Sequence, residues 1–218
     1  MPISLTPIMH SDCWSGSTWT IEDENELAKL IANVAIGQSR TVERILRATG
    51  DLPARYPKGG FAGACKLLTV GTSEKTYHRD GWIFQVIAWI AAHRFDDEAL
   101  IRAPQMIKVD KGLDGLIIEF GNDGIAHVVI CEEKATKNPR KQVKSKVWQE
   151  FEQFETGERD NELIASVTSL LVSLCPYFLD ADRLDWKAPE VVSLITGYAG
   201  YNRLLKRPAQ DLQLAYCW

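Results

Sequence analysis

The sequence predicts an α/β fold in which a small β-sheet is flanked by helices. Two apolar runs, 114–121 and 125–134, flank a turn that contains glycine, as the strands of a half-buried hairpin do. The segment 81–95, GWIFQVIAWIAAHRF, is apolar almost all round, as is a helix inserted into a core. Further segments on either side carry helix start and stop signals. We therefore expect helices to pack against a sheet built around the hairpin.

Length and composition limit the kind of protein. A chain of 218 residues with 45% hydrophobic side chains can bury a substantial core and is consistent with one domain. Its five cysteines are an odd number without metal-ligand spacing, which indicates reduced thiols in the cytoplasm. No apolar run approaches the roughly 18 residues of a membrane span, so we expect no membrane association. The formal net charge of −4 argues against broad electrostatic affinity for nucleic acid.

The first part of the chain is predicted to be mainly helical after an irregular start. Residues 1–20 are rich in Ser, Pro and Thr and predict no regular element. A helix is expected over 21–36, with Thr20 as its cap and acidic residues in its first turn. A second helix over 40–49 would end at a glycine, and the Pro- and Gly-rich segment 51–64 predicts a loop.

The segments around and after the hairpin are predicted in the same way. A strand is expected over 105–109, before the hairpin, and a polar, mostly basic helix over 137–155 has Pro139 in its first turn. The segment 161–174 has the length of a helix but the β-branched residues of a strand, and we favour a helix. A last helix is expected from about Pro189.

The turn of the hairpin fixes which residues face one another. Asn122-Asp123-Gly124 suits a three-residue loop in which glycine takes the left-handed conformation, so Gly121 would oppose Ile125. Side chains alternate along a strand, so Lys134 shares a face with Glu132 while Glu133 points away. That shared face would carry the pairs Phe120–Ala126, Ile118–Val128, Leu116–Ile130 and Asp114–Glu132.

Two acids and a lysine collect at the open end of this apolar face. Opposed Cβ atoms lie about 5 Å apart, so the carboxylates of Asp114 and Glu132 repel each other unless a cation lies between them. Lys134 compensates only part of that charge. Together with the backbone carbonyl of Glu133, the two carboxylates offer Mg²⁺ hard oxygen ligands. Such a site suits phosphate chemistry, in which Lys134 would orient a water or stabilise negative charge.

This pattern, Asp114 followed across a hairpin by Glu132-Glu133-Lys134, resembles the PD-(D/E)XK nuclease superfamily. The resemblance implies a restriction-endonuclease-like core with a small mixed sheet, and cleavage of phosphodiesters with Mg²⁺, for which Mn²⁺ would substitute. It implies that Asp114 and Glu132 ligate the metal and that Lys134 assists the attack of water. DGWIFQ, before the motif, looks like the helix that many Mrr-like members place there, and GLDG looks like their strand entry.

Two glutamines are candidates for support of this site. Several related families have Glu at the position of Gln85, which puts a ligand from that helix in doubt and leaves Gln85 a supporting role. Gln142 corresponds to supporting glutamines of some Mrr-like relatives. The nuclease-like core is expected over 80–160, between mainly helical regions at 1–79 and 161–218 that pack with it as one domain.

A run of positive charge follows the motif without an intervening acid. In an otherwise acidic chain, it would hold a nucleic-acid backbone beside the metal site. The alternative is a solvated helix face balanced by the acids that follow, and the position next to the motif favours the first interpretation. The candidate nucleic-acid-binding residues are Lys137, Arg140, Lys141, Lys144 and Lys146.

Other candidate motifs are weaker. Asp110 has the same parity as Asp114 but would lie about 13 Å further along an extended strand. Asp185-Trp186-Lys187 also has the DxK spacing, but it lacks a preceding apolar strand and a partner acid. His78-Arg79-Asp80 spells a kinase triplet without the downstream Asn or a Gly-rich loop.

The sequence thus predicts a Mg²⁺-dependent nuclease that cuts DNA rather than RNA. The overall arrangement also resembles the HamA family, the DNA-cleaving subunits of Hachiman anti-phage systems, which implies antiviral defence and a helicase or other protein partner. The alternative is a non-catalytic module that binds nucleic acid or protein and has lost cleavage because Gln85 replaces an acid. Metal dependence distinguishes these two hypotheses.

Overall fold

The computed structural model describes residues 2–11, 14–47, 60–95, 98–106, 112–121, 124–136 and 138–174. These residues form a mixed α/β fold with two small antiparallel sheets, one of two strands and one of three. The predicted fold class is confirmed at this level. The prediction of a mixed sheet is wrong for the described residues, because all their strand pairs are antiparallel.

The chain starts with a hairpin of β1 (Ile3–Ser11) and β2 (Trp14–Ile21). The prediction of an irregular start is therefore wrong. Alternate residues of β1 face the core: Ile3 is buried, and Leu5, paired with Trp19, packs against the same cluster. The intervening Ser and Thr residues hide this alternation in the sequence, although Thr is well suited to strands.

Four helices follow: α1 (Glu24–Ala35), α2 (Ser39–Leu46), α3 (Phe61–Leu68) and α4 (Thr76–Phe95). The cap of α1 is Asp23 rather than Thr20, because the Asp23 carboxylate accepts a hydrogen bond from the Glu26 backbone N–H at 2.9 Å. Most of the predicted loop over 51–64 lies outside the described residues, and its end is wrong, since α3 begins at Phe61. The predicted apolar helix is confirmed as α4, which starts one turn earlier than expected.

The three-stranded sheet has the order β3 (Leu100–Ile101), β4 (Gly115–Gly121) and β5 (Gly124–Cys131). The strand before the hairpin thus precedes the predicted 105–109, of which 107–109 lie outside the described residues. The predicted register is confirmed for Leu116–Ile130 and Ile118–Val128. The register shifts after Glu119, so that Gly121 pairs with Gly124. The prediction of a three-residue loop is therefore wrong.

The predicted basic helix is confirmed as α5 (Pro139–Gln142), a π-helical turn (Val143–Val147) and α6 (Trp148–Glu155). It ends before Gly157, whose φ of 80° is the left-handed conformation that glycine adopts readily. The ambiguous segment is a helix, α7 (Asp160–Leu174). The last predicted helix, from Pro189, lies outside the described residues.

Two clusters of buried side chains lie on opposite faces of the β4–β5 hairpin. One joins β1, α1, α2, α3 and α4, and Ile117 of β4 packs against it. The other contains Leu116, Ile118 and Ile130 from the predicted apolar face, together with Phe154 and Leu163 of the later helices. The two clusters thus take side chains from described elements on both sides of the hairpin in the sequence. None of the described helices is long and apolar enough to cross a bilayer.

Candidate functional site

The hairpin brings the motif residues together at its open end. Asp114 immediately precedes β4, and Glu132, Glu133 and Lys134 immediately follow β5. Because Gly115 pairs with Cys131, the next residues out on the two strands, Asp114 and Glu132, are neighbours. The antiparallel register therefore assembles the site from two segments that are 18 residues apart in the sequence.

Lys134 bridges the two acids. Its ammonium group donates to Asp114 Oδ2 at 3.2 Å and to Glu132 Oε1. The side chains are largely enclosed, with exposed fractions of 28% for Lys134, 17% for Asp114 and 11% for Glu132. An ion pair this sheltered is screened far less by solvent than a surface pair.

Asp114 has partners on both of its carboxylate oxygens. Its Oδ1 atom accepts a hydrogen bond from Gln85 Nε2 at 2.9 Å, and its Oδ2 atom also accepts one from the Glu133 backbone N–H at 3.3 Å. Gln85 lies in α4, so the contact ties the first motif acid to the central helix. The structure therefore places Gln85 where a supporting residue was predicted.

The electrostatics of the cluster are those of crowded, enclosed acids. Burial, followed by the nearby Asp114 carboxylate, raises the pKa of Glu132 to about 9. The same two causes raise the pKa of Glu133 to about 8. Burial on its own would lower the pKa of Lys134, but Asp114 and Glu132 outweigh it and raise the pKa above its ordinary value. Lys134 is therefore a stable cation at neutral pH.

A third acid near the pair was missed by sequence reasoning. Glu150 of α6 lies within hydrogen-bonding reach of Glu132 and helps to raise its pKa, and its charge acts on Lys134 as well. From the sequence, Glu150 was expected only to balance the charge of the basic helix face. Its approach depends on how α6 packs against the hairpin, which no local pattern reveals.

The Glu133 side chain points away from the cluster, as its parity predicted. Its carboxylate lies over Gly115, where an added Cβ would come 2.6 Å from Glu133 Oε1 and 2.8 Å from Cys131 Cβ. Its Oε2 atom is buried and has no hydrogen-bond partner within the described part of the chain. A buried polar atom without a partner is uncommon in a folded protein.

A cavity of about 150 Å³ lies on that side of the hairpin. Its walls come from β1, β2, α4, β3, β4 and β5, and are mostly apolar. Asp114 and Glu132 also line it, so the cavity and the acid cluster are continuous. The side chains of its apolar wall include Leu5, Trp19, Trp89, Ile101, Ile117 and Val129.

The basic residues after the motif are exposed on one continuous helix. Arg140, Lys141, Lys144 and Lys146 lie on α5 and the π-helical turn, directly after the strand end that carries Lys134. Lys137 lies outside the described residues, as do the rival Asp110 and the Asp185-Trp186-Lys187 triplet.

The other candidates do not join the site. Gln142 lies in α5, and among the described residues no hydrogen bond joins its side chain to the acid cluster. Within the kinase-like triplet, Arg79 pairs with its neighbour Asp80 in the first turns of α4.

The donor set partly fits a divalent metal. Among the described residues, no three His, Cys, Asp or Glu side chains are grouped closely enough to hold a metal ion by themselves. Asp114 and Glu132 supply two carboxylates, and the Lys134 ammonium stands between them as the balancing cation. A Mg²⁺ ion in a protein commonly keeps several waters and takes only one or two carboxylates as ligands. Two carboxylates are therefore enough for Mg²⁺, which does not need a site made entirely of protein ligands.

Comparisons of the chain with protein-family models, with curated proteins and with solved structures find no match.

Proposed function

We propose that this protein is a metal-dependent deoxyribonuclease of the PD-(D/E)XK type, which hydrolyses phosphodiester bonds with Mg²⁺. The observation that carries the proposal is the contact of Lys134 with both Asp114 and Glu132 at the open end of the β4–β5 hairpin. Two acids and a lysine from opposite strands are the set that this chemistry needs.

The two carboxylates and the Glu133 carbonyl would hold the metal. When bound, Mg²⁺ neutralises phosphate charge and lowers the pKa of a bound water. Gln85 would keep the Asp114 carboxylate turned towards the site through its 2.9 Å hydrogen bond. Crowding of the acids supports the proposal, since the pKa of Glu132 is raised first by burial and then by the negative charge of Asp114, which a divalent cation would relieve.

Lys134 would act on the reacting groups directly. Its pKa is raised by the two acids, so it carries a full positive charge under physiological conditions. Such a cation can orient the attacking water and stabilise negative charge that develops on the phosphate oxygens. Its short distance from both acids keeps it beside the scissile phosphate.

DNA would be held by the exposed face of α5 and the π-helical turn, where Arg140, Lys141, Lys144 and Lys146 lie without an intervening acid. The remainder of the chain is acidic, so recruitment by a partner is part of the proposal. We propose a helicase partner and a role in cytoplasmic anti-phage defence, on the resemblance to the HamA family. Purification of the native protein free of any associated ATPase would contradict that partner.

The experiment that tests the nuclease is plasmid cleavage by the full chain with Mg²⁺, Mn²⁺ or EDTA. A Glu132→Ala/Lys134→Ala variant with a native circular dichroism spectrum serves as the comparison. We expect nicking with either metal, none with EDTA and none by the variant. Absence of cleavage together with absence of metal binding by calorimetry would favour the non-catalytic binding module instead.

A further inference from the structure

Two aromatic rings lie side by side at the surface, in the first turn of α4. The ring centroids of Tyr77 and His78 are 4.3 Å apart, and the ring planes are tilted by 51°. Lys75 lies over the Tyr77 ring, with its Nζ atom 5.6 Å from the centroid. Tyr77 is 56% exposed and His78 is half-buried. The pair therefore offers an aromatic surface to solvent that the cleavage chemistry does not use.

The periodicity of α4 places this pair beside the acid cluster. The helix is continuous over 20 residues, so His78 lies two turns before Gln85 on the same face. The Gln85 amide contacts Asp114, the first acid of the proposed metal site. Side chains of a helix tilt towards its N-terminus, so this contact lies over the turn that contains Gly81. The rings are therefore one to two turns, or about 5–11 Å, from the acid cluster along α4.

The helix surface between the rings and the acids is open at Gly81. This glycine lies three residues after His78 and four before Gln85, which is the spacing of neighbours on one helix face. Among the described residues, a Cβ added to Gly81 would meet nothing within 4 Å. A strand of nucleic acid can therefore follow α4 from the acid cluster to the rings.

Stacking, and not charge, would supply the affinity of this patch. The cations Lys75 and Arg79 are balanced in the same segment by the acids Glu74 and Asp80. Arg79 is paired with Asp80 at 2.6 Å. Aromatic side chains bind single strands through the π-face that every base has, which makes the contact tolerant of sequence. In a duplex the neighbouring bases cover those faces, so the patch fits an unpaired base.

We propose that Tyr77 and His78 form a stacking platform for an unpaired base of the strand whose phosphate lies at the acid cluster. This inference rests on the proposed nuclease function, because it takes a nucleic-acid strand at that cluster as the substrate. It adds a preference for DNA that is unpaired beside the cut. At the 3.4 Å spacing of stacked bases, the distance along α4 corresponds to about two or three nucleotides.

The test compares two labelled strands of the same length and charge, an oligothymidylate and a strand without bases. Fluorescence anisotropy measures their binding to the full chain with Mg²⁺, in a Lys134→Met background that should leave them uncut. We expect the oligothymidylate to bind about fivefold tighter or more, as stacking of one base gives. Equal affinities, or no binding of either strand, would overturn the proposal.

Variants locate the preference. Tyr77→Ala/His78→Ala should bind the oligothymidylate about fivefold more weakly or worse, and the strand without bases as before. The slope of log affinity against log salt concentration should not change, since no phosphate contact is lost. Tyr77→Phe keeps the ring and should keep the preference.

Phe61→Ala is the matched control, because Phe61, in α3, is also 56% exposed. It should leave the preference for the oligothymidylate unchanged. A preference that survives the loss of both rings, or that falls equally in Phe61→Ala, would refute the platform.

Plasmid cleavage by the wild-type chain separates the platform from the nuclease. A wild-type protein that cuts plasmid DNA, in a chain whose Lys134→Met form binds both strands equally, would overturn the platform and leave the nuclease standing. A preference for the oligothymidylate that depends on Tyr77 and His78, without cleavage by wild type, would do the reverse.

Discussion

The Gln85 side-chain amide donates a hydrogen bond to Asp114 Oδ1 at 2.9 Å, which joins the central helix α4 to the first acid of the motif. An amide can orient a carboxylate without adding a further negative charge to a crowded site. Residues that orient a metal ligand typically contribute 10- to 100-fold to metal affinity or activity. In the proposed nuclease we therefore expect Gln85 to act as a positioning residue for Asp114.

Replacement of Gln85 by Leu should lower the cleavage rate about 10- to 100-fold by freeing the Asp114 carboxylate. The effect should be larger at low Mg²⁺ and shrink as Mg²⁺ saturates the site, which a general loss of stability would not produce. Gln149→Leu, at an exposed position of α6, is the control. Equal Mg²⁺ dependence in wild type and Gln85→Leu would show that the hydrogen bond has no role in positioning.

Glu132 should destabilise the metal-free protein as pH rises. Its pKa is raised from 4.5 to about 9, so the folded state holds this proton more tightly than the unfolded state does. The stabilisation that the protonated Glu132 contributes to the free energy of unfolding is therefore complete below about pH 4.5. It is lost as the pH rises towards 9. Glu132→Gln, which cannot ionise, should raise the free energy of unfolding at pH 8 by about 1 kcal/mol or more.

Denaturant unfolding in EDTA at pH 5 and pH 8 measures this difference. The increase in the free energy of unfolding caused by Glu132→Gln should be smaller at pH 5 than at pH 8. The control Glu155→Gln, at an exposed position, should show no such pH dependence. A Glu132→Gln protein that is less stable than wild type at pH 8 would mean that the ion pair with Lys134 outweighs the crowding of the acids.

Gly115 should tolerate no side chain. A Cβ there would lie 2.8 Å from Cys131 Cβ, and although the Glu133 carboxylate could swing aside, the Cys131 backbone is fixed in β5. We expect Gly115→Ala to lower the free energy of unfolding by about 1–3 kcal/mol, as overpacking does. In Gly63→Ala, the added Cβ meets nothing within 4 Å, and this helical site should be stabilised. Thermal denaturation of both variants checks the prediction, and similar melting temperatures would contradict it.

The basic helix face should provide binding that depends on salt and not on sequence. Each phosphate contact contributes about one unit to the slope of log affinity against log salt concentration. Lys141→Ala/Lys144→Ala should therefore reduce the slope by about two, with equal loss of affinity for different duplexes. Fluorescence anisotropy with labelled DNA measures it. Lys29→Ala/Lys66→Ala, at exposed positions on α1 and α3, removes the same charge elsewhere and should change the slope little.

The motif cluster was predictable because the hairpin encodes it locally. Alternation of apolar residues set the faces, and antiparallel pairing of Leu116 with Ile130 then placed Asp114 beside Glu132. The same alternation placed the Glu133 side chain on the opposite face. A shift in register after Glu119 altered the turn but left the open end of the hairpin unchanged.

Features that depend on distant packing could not be predicted. The β1–β2 hairpin has weak local signals, and its Ile3 is buried in a cluster formed with the helices that follow. Glu150 approaches Glu132 through the packing of α6, and the cavity needs walls from the first hairpin as well as from α4 and the β4–β5 hairpin. The register of a hairpin is set by neighbouring residues and leaves a periodic pattern in the sequence. These contacts join segments that are far apart in the sequence, and no periodic pattern marks them.

The most direct test of the central claim combines Mg²⁺ binding by calorimetry with single-turnover cleavage of labelled DNA. The proteins to compare are wild type, Asp114→Asn and Lys134→Met. We predict that wild type binds Mg²⁺ and cleaves, that Asp114→Asn loses both, and that Lys134→Met binds Mg²⁺ but cleaves at least 100-fold more slowly. Cleavage by wild type in EDTA, or an undiminished rate in Asp114→Asn, would contradict the assignment of this cluster as a metal-dependent nuclease site.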